Sequence, residues 1–239
     1  MKSPAGISME AVAKHYETAS GVVRALDGVT VDVAPGSSLA ITGPSGCGKS
    51  TLLGLMGGLD QPTAGRVVVG GVEISALPDG RRSALRRGHF GLVFQSDSLL
   101  PYLTALENVA LRFALGAGAG AGAGADEGAG GPERALELLA DLGVPECAGR
   151  LPDQMSGGQR QRVAVARALV TGPAVILADE PTGSVDADNA RIILEALLTA
   201  QRSRGATLVV VTHDPDVAGQ LETSVSLAVG RLVPDRRGI

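Results

Sequence analysis

The chain has 239 residues, 44% hydrophobic and 19% charged, enough for one large domain or two small lobes around a sizeable core. Lys+Arg 21 against Asp+Glu 25 gives a net charge of −4, and aromatic residues make up 2%. A mildly acidic, aromatic-poor chain has neither the electrostatic footprint nor the stacking platforms of a nucleic-acid binder.

Cys47 and Cys147 form no disulfide framework and no metal-ligand spacing, and they fit a reducing cytosol. The N-terminal MKSPAGISMEAVAKHY lacks an apolar stretch of signal-peptide length. Runs such as AVILA at 174–178 are too short to span a bilayer, so work at a membrane would need a membrane partner.

Residues 1–42 read as short strands: VTVDV (29–33) alternates, and SLAIT (38–42) runs apolar into GPSGCGKST, Gly43 to Thr51. The next stretch, TLLGLMGGL, reads as a helix ending near Gly57-Gly58. RVVVGGVEI (66–74) is a hairpin around Gly70-Gly71, and FGLVFQ (90–95) is a further strand. From about 98 to 165 the spacing turns helical in LTALENVALRF and ERALELLADLG, with Pro132 at a first helical position and Gly143 at a stop. The low-complexity segment between them, GAGAGAGAGADEGAGG (116–131), predicts a mobile surface loop, because Gly costs backbone entropy and Ala buries little area. AVILAD (174–179) and TLVVVTH (207–213) flank the helix NARIILEALLTAQ. Buried strands alternating with helices predict an α/β fold with a parallel sheet covered on both faces.

Gly43-Pro44-Ser45-Gly46-Cys47-Gly48-Lys49-Ser50 fits G-x-x-x-x-G-K-[ST], with a strand before it and a helix after it. Gly46 and Gly48 let backbone N–H groups turn inward around phosphates, at the positive end of the following helix. Lys49 would neutralise β- and γ-phosphate charge, and Ser50 would offer its hydroxyl to Mg²⁺. Cys47, beside a helix N-terminus and a basic residue, stands where a thiol tends to be activated; an inert small residue is the alternative. VILADE (175–180) ends an apolar strand in two carboxylates, Asp179 for Mg²⁺ and Glu180 to polarise the attacking water. Gln95 and His213 close two further strands with polar groups that a phosphate crevice could use. In QMSGGQRQRVAVARALV (154–170), Ser156 reads as an N-cap opening a second helix N-terminus, useful if it meets a phosphate held by another copy of the chain.

Here the residues resemble the ATP-binding-cassette ATPases over nearly the whole chain. Ser156-Gly157-Gly158-Gln159 looks like their signature, and SGGQRQRVAVARAL resembles its usual continuation. The resemblance gives Tyr16 the role of stacking on adenine and Gly43 to Thr51 that of the phosphate loop. It makes Gln95 the Q-loop glutamine, Asp179 and Glu180 the Mg²⁺ and base carboxylates, Asp186 a dimer-contact residue and His213 the switch histidine. It implies a P-loop NTPase fold with a RecA-like parallel-sheet core (about 1–95 and 166–239), an N-terminal antiparallel β subdomain and an inserted α-helical subdomain (about 96–165). ATP and Mg²⁺ are the implied cofactors. The implied partners are a second cassette, paired head to tail around two ATP molecules, and an integral-membrane permease, which would place the chain on the cytoplasmic face of the membrane.

GGLDQPTAG (57–65), FGLVFQSDSLLPYLTALENV (90–109) and ADEPTGSVD (178–186) resemble the branch serving lipoprotein release, macrolide export and antimicrobial-peptide resistance. Departures from the family pattern are Met155 where Leu is usual, Gly183-Ser184-Val185-Asp186 for the commoner G-N-L-D, and the Gly/Ala segment. The chain ends soon after its last strands, too early for the regulatory C-terminal domain of some sugar importers. An importer ATPase and a force transmitter acting on cell-wall enzymes share the same chemistry. A soluble cassette protein of translation or DNA repair usually carries two cassettes or long inserted arms.

Overall fold

Long alternating strands build the first layer of the computed structural model, which describes residues 3–19, 21–95, 98–116 and 131–233. β1 (Ile7–Thr18) and β2 (Gly21–Val33) form an antiparallel hairpin much longer than the short strands expected, its register shifting between Met9 and Val12 and again on either side of Lys14. These bulges bend the strand while Ile7, Met9 and Val12 stay buried. β3 (Ser38–Thr42) leads into α1 (Lys49–Met56). β4 (Ala64–Val69) and β5 (Val72–Glu73) form the expected hairpin, with Val69 opposite Val72 across Gly70-Gly71. Strands β2-β1-β4-β5 make one antiparallel sheet.

α2 (Asp79–His89) was not foreseen, because DGRRSALRRGH carries no apolar period; the only fully buried side chain it contributes is Arg82. β6 (Phe90–Val93) stops two residues short of the predicted strand, leaving Phe94 and Gln95 beyond its end. α3 (Ala105–Gly116), α4 (Gly131–Asp141) and α5 (Gly157–Leu169) make the helical region. The loop expected over 116–131 lies, apart from its two end residues, outside the described residues. α5 runs through the 165/166 border drawn from the sequence, so the helical region and the sheet share a helix.

β7 (Val175–Asp179), α6 (Ala187–Arg204), β8 (Thr207–Val211), α7 (Pro215–Ala218), β9 (Thr223–Ala228) and β10 (Arg231–Val233) complete the chain. The second sheet runs β10-β9-β3-β8-β7-β6, parallel except for β10.

The two-residue strand period sorts this sheet's side chains into two cores. Leu39, Ile41, Val175, Leu177, Val209 and Val211 join α1 and the antiparallel sheet on one face. Ala40, Ile176, Ala178, Leu208 and Val210 join α3–α6 on the other. Apolar residues at every strand position are what a sheet covered on both faces requires. The carboxyl ends of β3, β6, β7 and β8 therefore open together on one edge, where an α/β sheet binds ligands.

Candidate functional site

Glycine shapes the loop between β3 and α1 by removing side chains where the backbone is crowded. A Cβ on Gly43 would lie 2.2 Å from the Leu227 carbonyl oxygen, and one on Gly48 would lie 2.4 Å from that of Ala25. Gly48 also holds φ +107° immediately before α1, a conformation that L side chains avoid. Having no side chain, Gly48 cannot cap the helix, so the first-turn N–H groups of α1 face the loop with the positive end of the helix dipole. Lys49 is 8% exposed, and its Nζ donates to the carbonyls of Gly43 (2.8 Å) and Pro44 (2.9 Å), which pins the ammonium over the loop. Backbone donors, helix end and cation on one concave turn form a cradle for phosphate. Pro44, Ser45 and Gly46 complete the turn, and Ser50 and Thr51 follow in the first turn of α1. Cys47 is 7% exposed and packs into the apolar cluster behind the loop, not into the cradle.

At the end of β7, Asp179 pairs in register with Val211, and the Glu180 N–H donates to the Val211 carbonyl at 2.9 Å. Glu180 then takes φ +46°. That left-handed turn at a non-glycine residue costs on the order of 1–3 kcal/mol. It breaks the strand alternation that would send two adjacent carboxylates to opposite faces. The Glu180 carboxylate is nearly buried, and its Oε2 lies 2.9 Å from Nδ1 of the exposed His213. Burial pushes the Asp179 carboxyl above its ordinary pKa; the neighbouring Glu180 charge adds to the rise, while the Ser50 hydroxyl bond and Lys49 oppose it. A half-buried carboxylate bonded to a serine hydroxyl beside a phosphate cradle suits Mg²⁺, which takes few protein ligands and fills its octahedron from phosphate and water.

Ser156 caps α5 as the sequence predicts: its Oγ accepts the Gln159 N–H at 3.2 Å, and the Gln159 side-chain oxygen accepts the Ser156 N–H at 2.9 Å. Gln159 also donates to Glu146 at 3.2 Å, so its side chain is engaged within the helical region. Gly157 and Gly158 follow the cap without side chains. A Cβ on Gly158 would press on Asn189, 2.8 Å from its Nδ2. Asp186 caps α6, accepting from the Asn189 N–H (2.9 Å) and its side-chain amide (2.5 Å), bonds that hold its carboxyl below the usual range.

Residues 26–183 match the ABC transporter family, about two thirds of the chain. The chain belongs to that family. It is 41% identical over 228 residues to the lipoprotein-releasing system ATP-binding protein LolD of Granulibacter bethesdensis, covering 95% of this chain and 96% of that one. It is 42% identical over 233 residues to the macrolide export ATP-binding/permease protein MacB of Chromobacterium violaceum. That match takes in 98% of this chain but 35% of MacB, so the chain spans about a third of that relative. A solved dimer of the ATP-binding cassette MJ0796, in a post-hydrolysis state with ADP and phosphate, superposes with a TM-score of 0.86 at 38% identity. It covers 95% of this chain and 96% of that one. The chain is thus an ABC ATPase cassette, and both the antiparallel β subdomain and the parallel core agree with the expected fold.

Within the cassette, Lys49, Ser50, Asp179, Glu180 and His213 stand together at the sheet's carboxyl edge. Gln95 is exposed beyond the end of β6, and Tyr16 lies on β1 opposite Val23. Ser156 to Gly158 sit at the N-terminus of α5, and among the described residues the contacts of this turn go to Glu146 and Asn189, not to the phosphate loop. One residue was missed. Gln161 on α5 is 2% exposed, and its Nε2 donates to the carbonyls of Phe94 (3.3 Å) and Pro181 (3.1 Å). It thereby ties the residues next to Gln95 and Glu180 to the signature helix. The available signal was a second amide in QRQR ahead of an apolar helix, which fixes the residue type but not its target.

Among the described residues, no helix is long and apolar enough to cross a membrane.

Proposed function

We propose that this chain is the ATP-hydrolysing subunit of an exporter-type ABC system that works through a separate membrane permease. The carrying observation is the nearly buried Glu180 carboxylate, turned out of its strand toward His213 in the crevice that holds Lys49. In this reading Gly43 to Thr51 cradle the triphosphate, and Lys49 turns its ammonium from the loop carbonyls to the β- and γ-phosphates. Ser50 and Asp179, with Gln95 as the loop moves, would hold Mg²⁺. The bound ion would neutralise charge on the phosphate oxygens. Glu180 takes a proton from the attacking water as the new P–O bond forms at the γ-phosphorus and the bond to the β-phosphate oxygen breaks. His213 holds the Glu180 carboxylate in place and hydrogen-bonds the γ-phosphate. Tyr16 stacks on adenine. Ser156, Gly157, Gly158 and Gln159 of a second copy close over the γ-phosphate, with Asp186 at the seam, so that ATP binding closes the pair and hydrolysis reopens it.

The β-bearing core (about 1–95 and 166–239) binds nucleotide, and the helical part (about 96–165) carries the motion to the permease on the cytoplasmic face of the membrane. In support, the turn after Gln95 exposes Leu100 and Tyr102 (90%), while the buried Asn108 fixes its backbone through Leu100, Leu103 and Thr104. The names of the LolD and MacB relatives favour export or extraction over import.

The test is a tagged Glu180→Gln variant with Mg-ATP. It should bind ATP, fail to turn over and run as a dimer on size exclusion, and in mild detergent it should co-purify a permease. A variant that stays monomeric at saturating ATP and captures no membrane protein would refute the proposal.

A further inference from the structure

Tyr16 is held more firmly than an exposed strand residue needs to be. Its hydroxyl donates to Asp60 Oδ2 at 3.1 Å. Lys14 lies two residues earlier on β1, beside the register shift at His15. Its Nζ sits 4.9 Å from the Tyr16 ring centroid and donates to Asp60 Oδ1 (2.8 Å) and to the Gln61 carbonyl (2.9 Å). Asp60 follows the end of α1, the helix that opens the phosphate site, and its Oδ1 also accepts the Gln61 N–H at 2.7 Å. Both carboxylate oxygens are thus engaged, one with the tyrosine and one with the lysine. Burial alone would raise the Asp60 pKa, but the bonds from Lys14, Gln61 and Tyr16 outweigh it and hold the carboxyl below its ordinary range.

The geometry fixes the ring on three sides. The β1–β2 ladder sets its backbone, with Tyr16 opposite Val23. Asp60 sets the hydroxyl end. The Lys14 ammonium lies over one face of the ring, a cation–π arrangement, while Tyr16 as a whole stays 38% exposed. An exposed ion pair by itself contributes little. This one differs because the Lys14 side chain is only 13% exposed and its carboxylate partner is shared with the aromatic hydroxyl.

We propose that Lys14 and Asp60 are positioning residues for the nucleotide base: they lock the Tyr16 ring so that one face is presented to adenine in register with the phosphate cradle. The proposal rests on the reading of Tyr16 as the stacking residue. It assigns a base-dependent role to two residues that never touch the nucleotide.

Isothermal titration of the purified full chain with ATP, and separately with inorganic tripolyphosphate, distinguishes the outcomes. Both ligands are used without divalent cation to prevent turnover. Tyr16→Ala should weaken ATP about two- to tenfold, the range expected for one aromatic stack, and leave tripolyphosphate unchanged. Lys14→Met and Asp60→Asn should each reproduce part of that loss, again for ATP only. Lys14→Met added to Tyr16→Ala should weaken ATP no further. Tyr16→Phe, which keeps the ring and loses the tether, should fall between wild type and Tyr16→Ala. If Tyr16→Ala weakens ATP but Lys14→Met and Asp60→Asn do not, positioning is refuted and stacking stands. If Tyr16→Ala has no effect, stacking itself fails and the proposal fails with it. Equal losses for ATP and tripolyphosphate in Lys14→Met would make the cluster a fold element only and overturn the proposal.

Discussion

Replacing Gln161 by leucine deletes both donor bonds of the amide and keeps most of the side-chain volume. The bond to the Pro181 carbonyl is buried and the bond to the Phe94 carbonyl is part-buried, so water can replace the second but not the first. An acceptor left unsatisfied in the interior costs about 1–3 kcal/mol, and the leucine does nothing to relieve it. For a chain of this size each kcal/mol lowers Tm by roughly 2–4 °C. The functional effect should exceed the stability effect, because the two carbonyls belong to the residues beside Gln95 and Glu180. On the proposed function, loosening both would let Glu180 and the Gln95 segment drift from the γ-phosphate, and a misplacement of about 1 Å can cost around 10²-fold in rate. Denaturant titration gives the first quantity, and steady-state ATPase assays with equilibrium ATP binding give the second. We expect kcat to fall about ten- to hundredfold with the ATP Kd within about twofold of wild type. Gln161→Glu, which donates nothing when ionised and to one carbonyl at most when protonated, should also fall below wild type. Unchanged kcat in Gln161→Leu, or a loss of ATP affinity as large as the loss of rate, would refute the argument.

Gly48→Ala combines a left-handed backbone with a contact 2.4 Å from the Ala25 oxygen, so it should lose about 2–5 kcal/mol and the thermal shift on adding ATP. Gly46→Ala, which meets nothing within 4 Å, should lose only the backbone part, and equal losses in the two would sink the distinction. Cys47 is 7% exposed, so a thiol reagent should label the native chain at least about tenfold more slowly than the denatured one, and ATP should slow labelling further. Labelling at the denatured rate would restore the picture of an activated, open thiol. Because the folded Asp60 pKa is depressed, its contribution is present above the unfolded value of about 3.9 and is lost as pH falls through the lower folded value. The ATP affinity ratio of wild type to Asp60→Asn, in which titration of the ligand cancels, should therefore be flat from about pH 5 to 8 and shrink only below about pH 4. A step near neutral pH would refute the assignment to Asp60.

What was legible in the sequence is what contiguous residues carry. The phosphate loop, the paired carboxylates of VILADE and the Ser156 cap each lie on one short stretch, with the strand or helix that positions them alongside. The double-faced sheet was legible too, because its central strands run apolar on consecutive residues, as in VILA of β7 and LVVV of β8. α2 was not, since Arg82 is its only fully buried side chain and it has no apolar stripe to betray it. Gln161 and the Lys14–Tyr16–Asp60 cluster were invisible for another reason. Their partners lie 20 to 67 residues away along the chain, and nothing local says where a polar side chain will end its reach. Cys47 shows the converse: its neighbours in sequence leave an activated thiol and an inert small residue both open, while packing places its side chain in the core behind the cradle.

The contact between Gly158 and Asn189 bears on how two ATP molecules are consumed in one cycle. In the proposed head-to-tail pair, Gly158 would belong to the turn that closes on the other subunit's nucleotide, whereas Asn189 is bonded to Asp186, six residues past Glu180, the proposed base for the subunit's own nucleotide. Each protomer therefore packs this turn against the first turn of α6, where a side chain at position 158 would have to displace the Asn189 amide. A shift of α6 when one ATP is cleaved would be felt at the opposite pocket without passing through the permease. Two such links arranged symmetrically would join the pockets in a closed loop, so that cleavage on one side would alter the packing on the other.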